Sequence, residues 1–562
     1  MGLISTAILS AAPVERNADN DTDDTTYIRA AIEMWRSHIL AVPGSGSILG
    51  CVTYNGVDYA WRNNGSAAVM HKSTANGFVE VDLGETIEFD TGNNAIVSGD
   101  TLIGLTSGAT CTVNHVDLLS GTWAGGDAAG LIHYTTHHGS FVVGDVLRTT
   151  RLSPTTSAEV TVTAVAVSWP VGGLYEFDIY NFGGHSGTRC LYGVNGVGYG
   201  FQFDGSSVIF IRTGMTTDTP QHVKAHKNHL FYSFSGGSVQ HSSLGVPLTF
   251  SALTGAAEIG LGDEITGFES VPGGQMAIFG RNSTAILQGT SVDDWVLSSH
   301  SFESGAIERS IQGFTEPIYF DDRGITTLSA AQEFGDFKDN VVSVLVQPYL
   351  EQRTSNVTAS MVVKEKSQFR VFFEDNTALY LTFRGHKLQG ATVIDLGVKV
   401  NCCWSGENSD GTEVLLFGST DGYLYRLDSG TSFDGSEIAA SIRLPFHHYG
   451  SPNLNKRFLR ATVELTAKSG TSLTVYPDFA YSDSDAPSSI AQDFSFTGGG
   501  GFWDAAIWGS FVWSASPIGE ADGYIDGLGR NLGLLIIHNA TYEEPHTLHG
   551  LRVEYSVKNR RR

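Results

Sequence analysis

One clause recurs along this 562-residue chain: a short run of alternating apolar residues, a tight Gly/Asn/Asp turn, then a second such run. It reads GCVTYNGVDYAWR at 50–62, AHKNHLFYS at 225–233 and FESVPGGQMAIFGR at 268–281. It returns as IYFDDRGITTL at 318–328 and VLLFGSTDGYLYRL at 414–427. Each is a hairpin with one apolar face, and a lone hairpin cannot bury that face, so neighbours must stack. Many of the 66 glycines fall in N-G, G-G, D-G and S-G pairs, where hairpin turns need positive φ. The pattern predicts an all-β chain whose main body is a β-propeller, with room for about six or seven blades, or a similarly repetitive all-β body.

The clause is not uniform, and its breaks predict the domains. Residues 1–45 form an N-terminal arm, the one stretch that does not read β. Within it YIRAAIEMWRSHIL (27–40) carries an apolar stripe at Ile28, Ile32, Trp35 and Ile39, with Thr25 or Thr26 as cap and Pro43 as stop. That is a helix of about three turns, docked on its own domain or reaching a neighbouring subunit. Residues 46–83 hold the first propeller or platform strands. Residues 84–166 look inserted and contain an echo: GDTLIGLTSGATCTV (99–113) and GDVLRTTRLSPTTSAEVTV (144–162) share a Gly-Asp, an apolar pair, a Ser/Thr-rich turn and an alternating strand. They predict a small β module, a barrel or a sandwich, set on a loop that tolerates insertion. Propeller texture resumes over 167–435.

From 436 to 562 the strands lengthen, at 439–446, 457–467 and 472–480, with 534–537 and 551–557 as another pair. These predict a C-terminal platform resembling a β-sandwich. It is interrupted by a Gly-rich aromatic loop over 494–514. Phe502, Trp503, Trp508, Phe511 and Trp513 are too apolar to leave in water. The loop serves as an assembly or gate contact, or folds back on its own sheets.

The charge balance narrows the function classes. Lys and Arg total 34 against 59 Asp and Glu, a formal −25. A protein that grips nucleic acid by its phosphates needs the opposite sign. Acidity either keeps the chain soluble or lines a conduit along which nucleic acid slides. The basic end, KNRRR at 558–562, would neutralise an acidic face of a neighbour or a phosphate backbone. Five cysteines, Cys51, Cys111, Cys190, Cys402 and Cys403, lack ligand spacing and read as buried free thiols. Cys402 and Cys403 adjoin, so they point to opposite faces of one strand. The opening residues lack the basic start of a signal peptide, and no 18-residue apolar run predicts a membrane span.

No HExxH, GxSxG, P-loop or CxxC pattern occurs. The chain therefore reads as a non-enzyme with no catalytic, metal or cofactor site. Histidines at 133, 137 and 138 and at 447–448 read as polar loop residues. His222, His226 and His229 would face together only on a helix, which Pro220 and Asn228 oppose. Asn282 and the Asp321, Asp322 and Arg323 of FDDRG are assigned to propeller turns, the latter with an acceptor–donor lock onto the next blade. Asp321 and Asp322 also leave open an acid–base pair for glycoside cleavage.

With those residues in view, AHKNH (225–229), FGRNST (279–284), FDDRG (320–324) and QEFGDF (332–337), in that order, resemble the central propeller of tail hub or nozzle proteins of short-tailed double-stranded DNA bacteriophages. GRNSTAI at 280–286 resembles a blade strand of that family's packaged-DNA stabilisation proteins. The likeness covers 45–80 and 170–440 and, loosely, the final domain. It implies a structural virion protein in the tail, assembled in the host cytoplasm into a ring, typically a hexamer. The ring would retain the packaged genome and conduct DNA during ejection. Its implied partners are other copies, tail adaptor or portal-proximal proteins, and a tail fibre or needle protein; duplex DNA would pass through the lumen without sequence-specific binding. The competing expectations are another phage tail part, such as a baseplate hub or fibre attachment protein, and a carbohydrate-binding or glycosidase propeller.

Overall fold

Asn55 and Gly56 turn the chain with both residues in the left-handed region, at φ 50° and 77°, and Lys227 and Asn228 do so at 47° and 64°. Turns of that hand match the right-handed twist of the strands they join. Each hairpin therefore closes in register, Cys51 opposite Ala60 and Ala225 opposite Leu230. The same rule recurs at Gly236-Gly237 and Gly273-Gly274 in the fold seen in a computed structural model of the chain. That structure describes residues 31, 33–81, 85–150, 158–165, 168–184, 187–301, 304–328, 341–385, 387–408, 410–467, 472–481, 491–496, 518–540 and 546–558. The described residues of Leu40–Leu427 form one compact unit, and those of Met1–Ile39 with Asp428–Arg562 form a second.

The first unit is a succession of small antiparallel sheets, over 45–80, 176–211, 222–260, 265–301, 312–327, 357–395 and 400–426. Each is a meander of three or four strands paired only with neighbours in sequence. The leading strands are Ser45–Tyr54, Glu176–Tyr180, His222–His226, Ile265–Val271, Gln312–Gly313, Val357–Val363 and Val400–Glu407. They touch in chain order, and the seventh packs against the first. Period-two alternation sends one set of side chains to each neighbouring sheet. Val223 and Ala225 of the third sheet thus join Tyr192 and Val194 of the second, while Phe231 and Val239 join Ile265, Phe268 and Met276 of the fourth. The core is divided among such interfaces. Between the first two sheets, fully buried Trp61 stacks on Tyr175 with ring centroids 5.1 Å apart and meets Trp169 edge-on at 6.2 Å.

Between the first and second sheets the chain forms a closed six-stranded barrel. Its strands are Glu85–Gly92, Thr101–Gly104, Thr110–Ser120, Ala128–His138, Val146–Thr149 and Glu159–Val165. The sequence echo is its symmetry. Gly99 N–H donates to the Val113 carbonyl and Val113 N–H to Asp100, each at 2.8 Å. Gly144 and Val162 repeat this at 2.7 Å, with Val162 to Asp145 at 2.8 Å. Leu102 pairs with Thr149, Ile103 with Arg148 and Gly104 with Leu147. The two halves therefore meet about a local two-fold through the Ile103–Arg148 pair. Arg212, just past the last strand of the second sheet, forms an ion pair with Glu88 on the barrel wall.

In the second unit two sheets share one core. One runs Ile438–His447, Leu532–Ala540, Ser472–Phe479, Gln492–Ser495, and the other Ile518–Gly529, Lys456–Thr466, Thr547–Val557. Phe458, Val463, Leu473, Phe494, Ile525 and Leu534 fill the space between them. Three expectations are corrected here. The strands at 534–537 and 551–557 are not a pair. They lie in different sheets, Leu532–Ala540 between Ile438–His447 and Ser472–Phe479 and Thr547–Val557 beside Lys456–Thr466, because alternation sets which face a strand buries and not which strand it pairs with. Phe494 is not loop: its strand pairs with Ser472–Phe479, which turns the ring fully inward. The helix in the arm ends at Arg36, where its side chain bonds Glu33 at 2.7 Å and Asp434 at 3.1 Å. Trp35 and Ile39 of its stripe are 51% and 48% exposed; Thr25, Thr26 and Ile28 lie outside the described residues.

Candidate functional site

The leading strands enclose a cavity of about 340 Å³ lined by residues 174–178, 221–224, 266–269, 308–312, 358–361 and 401–405. Its walls come from six sheets, so it gathers residues far apart in the sequence. Much of its lining is polar, and several of those groups join one sheet to the next.

Between the second and third sheets, Glu176 holds the His222 imidazole at 2.7 Å and accepts from the Val223 N–H at 3.3 Å, while Asp178 accepts from the Ala225 N–H at 2.6 Å. Between the third and fourth, Lys224 Nζ donates to Glu269 at 2.9 Å. Between the fifth and sixth, Gln312 donates to the Ser360 carbonyl at 2.9 Å and the Ser360 hydroxyl donates to the Arg309 carbonyl at 2.7 Å. Cys403 Sγ lies 3.1 Å from the same Ser360 carbonyl, reaching from the seventh sheet. Asn401 donates to the Ile48 carbonyl at 2.7 Å, and Tyr175 N–H to Leu49 at 3.0 Å, which ties the first sheet on both sides.

The electrostatics follow from burial and company. Burial raises the Asp178 carboxyl above its usual range, only partly offset by Lys224 and the Ala225 N–H. Burial also opposes the charged forms of Lys224 and His222, yet both are shifted upward, Lys224 by Glu269 and Asp178, His222 by Glu176. The network holds charge by sharing it and can act as a set of struts.

The turn residues sit elsewhere. Asn282 N–H caps Asp263 at 2.7 Å. Asp322 takes a two-pronged ion pair from Arg281, at 2.6 and 3.1 Å. Arg281 belongs to the preceding sheet, so the lock runs backward along the chain rather than to the next sheet. The ion pair itself sets the 280–284 turn against the FDDRG turn. Arg323 lends its carbonyl to Gln347 at 2.5 Å. Asp321 is buried, its carboxyl raised by that burial and bonded by the Asp322 N–H at 2.6 Å. Asp321 and Asp322 thus face different partners, and neither lines the cavity. Phe502, Trp503, Trp508, Phe511 and Trp513 lie outside the described residues, as does 332–337.

The histidines correct the sequence reading. His222, His226 and His229 do share a face without a helix: positions four apart on a strand point the same way, and the hairpin sets His229 opposite His226. His241, on the strand next to that of His229, joins them with its ring centroid 4.9 Å from that of His229, and Trp295 of the fourth sheet packs against His226, His229 and His241. Both His229 and His241 bond the Ser242 carbonyl through Nδ1, at 2.6 and 3.0 Å. In the barrel, Asp117 sits between His115 at 2.7 Å and His133 at 3.2 Å. Among the described residues no group of three or more His, Cys, Asp or Glu is arranged to hold a metal ion. Pattern reading missed the cavity, because its residues are spread over 174–405; a charged residue on each of several leading strands was the available signal.

No family model and no curated protein matches the chain. Among solved structures it is similar to the computationally designed Ika8 protein, at 9% identity over 69% of this chain and 98% of that one, with a TM-score of 0.33. It is similar to a chain of the Mitotic Checkpoint Complex at 12% identity, 60% and 94% coverage and a TM-score of 0.31. Against the Myceliophteria thermophila Cps50 (Swd1) beta-propeller domain the values are 10%, 46%, 88% and 0.29. Superpositions this loose carry no argument about fold or function.

Proposed function

We propose that 45–427 is a seven-bladed β-propeller carrying the barrel between its first two blades, with the two-sheet unit as a platform. We further propose that the chain is a structural subunit of the tail hub or nozzle of a short-tailed double-stranded DNA bacteriophage. The observation that carries this reading is the use of polar groups at the cavity. Glu176, Asp178, Lys224, Glu269, Gln312, Ser360 and Asn401 bond the neighbouring strand, which suits a rigid body that bears load. The phage assignment rests on the sequence resemblance and on the −25 charge, which disfavours adhesion of DNA to the walls of a passage.

In this reading the passage does not run through the cavity. A duplex about 20 Å across does not fit a space of about 340 Å³ crossed by hydrogen bonds. The conducting lumen in this reading therefore lies between copies, on the axis of a ring, typically a hexamer. Adaptor or portal-proximal proteins and a fibre or needle protein would bind the ring's ends in the virion tail.

Electron microscopy of the assembled protein tests this. The expected result is a closed ring with a central bore of roughly 20 Å or more. A monomer under every assembly condition, or a position away from the DNA path in the particle, overturns it.

A further inference from the structure

The geometry points to an oxidisable thiol pair at the seam between the first and seventh sheets: on oxidation Cys51 and Cys402 form a disulfide that covalently joins the two. The inference rests on that contact alone and is independent of the proposed function. Cys51 lies on Ser45–Tyr54 and Cys402 on Val400–Glu407, 351 residues apart in sequence, with their Sγ atoms 3.9 Å apart. Both are buried, at 1% and 8% exposure, and unpaired. The register is pinned beside them by Asn401, which bonds Ile48 at 2.7 Å, and Cys402 Sγ itself lies 3.6 Å from the Ile48 carbonyl. Bond formation requires the sulfurs to close to about 2.05 Å, a side-chain adjustment between strands already in contact.

The other thiols have other neighbours. Cys403 points to the opposite face, toward Ser360 of the sixth sheet. Cys111 is in the barrel core, and Cys190 lies beside the Thr188 carbonyl at 3.7 Å. Cys402 and Cys403 both line the cavity and Cys51 does not, so an oxidant entering it meets these two thiols first, and of them Cys402 is the one with Cys51 beside it. The hydrogen bond to Cys402 and burial both raise the Cys51 thiol, which keeps it protonated.

With hydrogen peroxide as oxidant the chemistry balances. The Cys402 sulfur attacks one peroxide oxygen, the O–O bond breaks, and a sulfenic acid and one water result. Cys51 Sγ then attacks Cys402 Sγ, the S–O bond breaks, and its proton leaves with the hydroxyl as a second water. Two thiols have lost two electrons and peroxide has gained them.

The test treats the full chain with excess peroxide, then with dithiothreitol. Free thiols are titrated in guanidinium chloride, and disulfide-linked peptides are mapped by mass spectrometry. The expected result is a fall from five thiols to three, a Cys51–Cys402 peptide, and a rise of a few degrees in Tm that dithiothreitol reverses. Cys402→Ser should keep its remaining thiols and show no shift. Five surviving thiols, or Cys402 oxidised without a bond to Cys51, overturns the inference. The wild-type peptide map decides even where a variant fails to fold.

Discussion

Lys224 is the residue on which the most buried charge depends. Its ammonium sits 2.9 Å from Glu269 and within the field of Asp178 and Glu176, on a side chain only 22% exposed. Lys224→Met should cost about 3–5 kcal/mol in chemical denaturation, because it strands buried carboxylates rather than because the pair itself is so favourable. Adding Glu269→Gln should recover most of that loss; no recovery would mean the packing of the lysine stem is what matters. Two histidines of the same strand titrate in opposite senses. The pKa of His222 is raised by Glu176 against the pull of burial, so its stabilisation is complete below pH 6.5 and fades as pH rises through the higher folded value. The pKa of His226 is pushed down to about 4 by burial first, with Lys227, Lys224 and His229 adding to it. There the unfolded chain takes up the proton first, so stability falls as pH drops from 6.5 toward 4, by about 3 kcal/mol over that window. Urea midpoints at neutral pH and near pH 4.5 should show this loss in the wild type and a smaller one in His226→Gln.

At the scale of elements, the barrel is the clearest case of sequence showing through. The Gly-Asp echo marks the two positions where a loop is folded under the following strand, and the hydrogen bonds recur at both. Asp145 goes further than its counterpart: fully buried, it accepts from the Thr106 N–H at 2.9 Å and from Ser107 through N–H and hydroxyl, at 3.3 and 2.5 Å. Asp145→Ala leaves those donors unpaired and should cost about 1–3 kcal/mol. Hydrogen exchange should speed at the amides of 101–113 and leave those of the third and fourth sheets unchanged. Uniform loss of protection would show instead that barrel and sheets unfold as one. Hairpins were legible because their turns are local: Asn55-Gly56 states its φ values in two letters. Partners of longer range were not. The reading of 534–537 with 551–557 failed because alternation identifies a strand and not its neighbour. The histidine face was misread by applying a helical period where the strand period governs.

For the whole molecule, the ledger that matters is charge. At −25 the chain should not retain duplex DNA in an electrophoretic shift even at about 50 mM salt. Binding that tightens as salt falls would contradict a passive conduit. In the proposed ring, Trp503→Ser with Trp508→Ser should impair assembly or genome retention while the far-ultraviolet circular dichroism stays unchanged; normal assembly and retention would remove the aromatic loop from the interface. Composition and periodicity established an all-β chain of short antiparallel units, since alternation and turn chemistry act over a few residues and need no distant partner. The Cys51–Cys402 contact, the Lys224 strut and the cavity arose only on folding. Each joins residues that no local rule relates, and they meet because successive sheets, each with two apolar faces to cover, stack until the last finds the first.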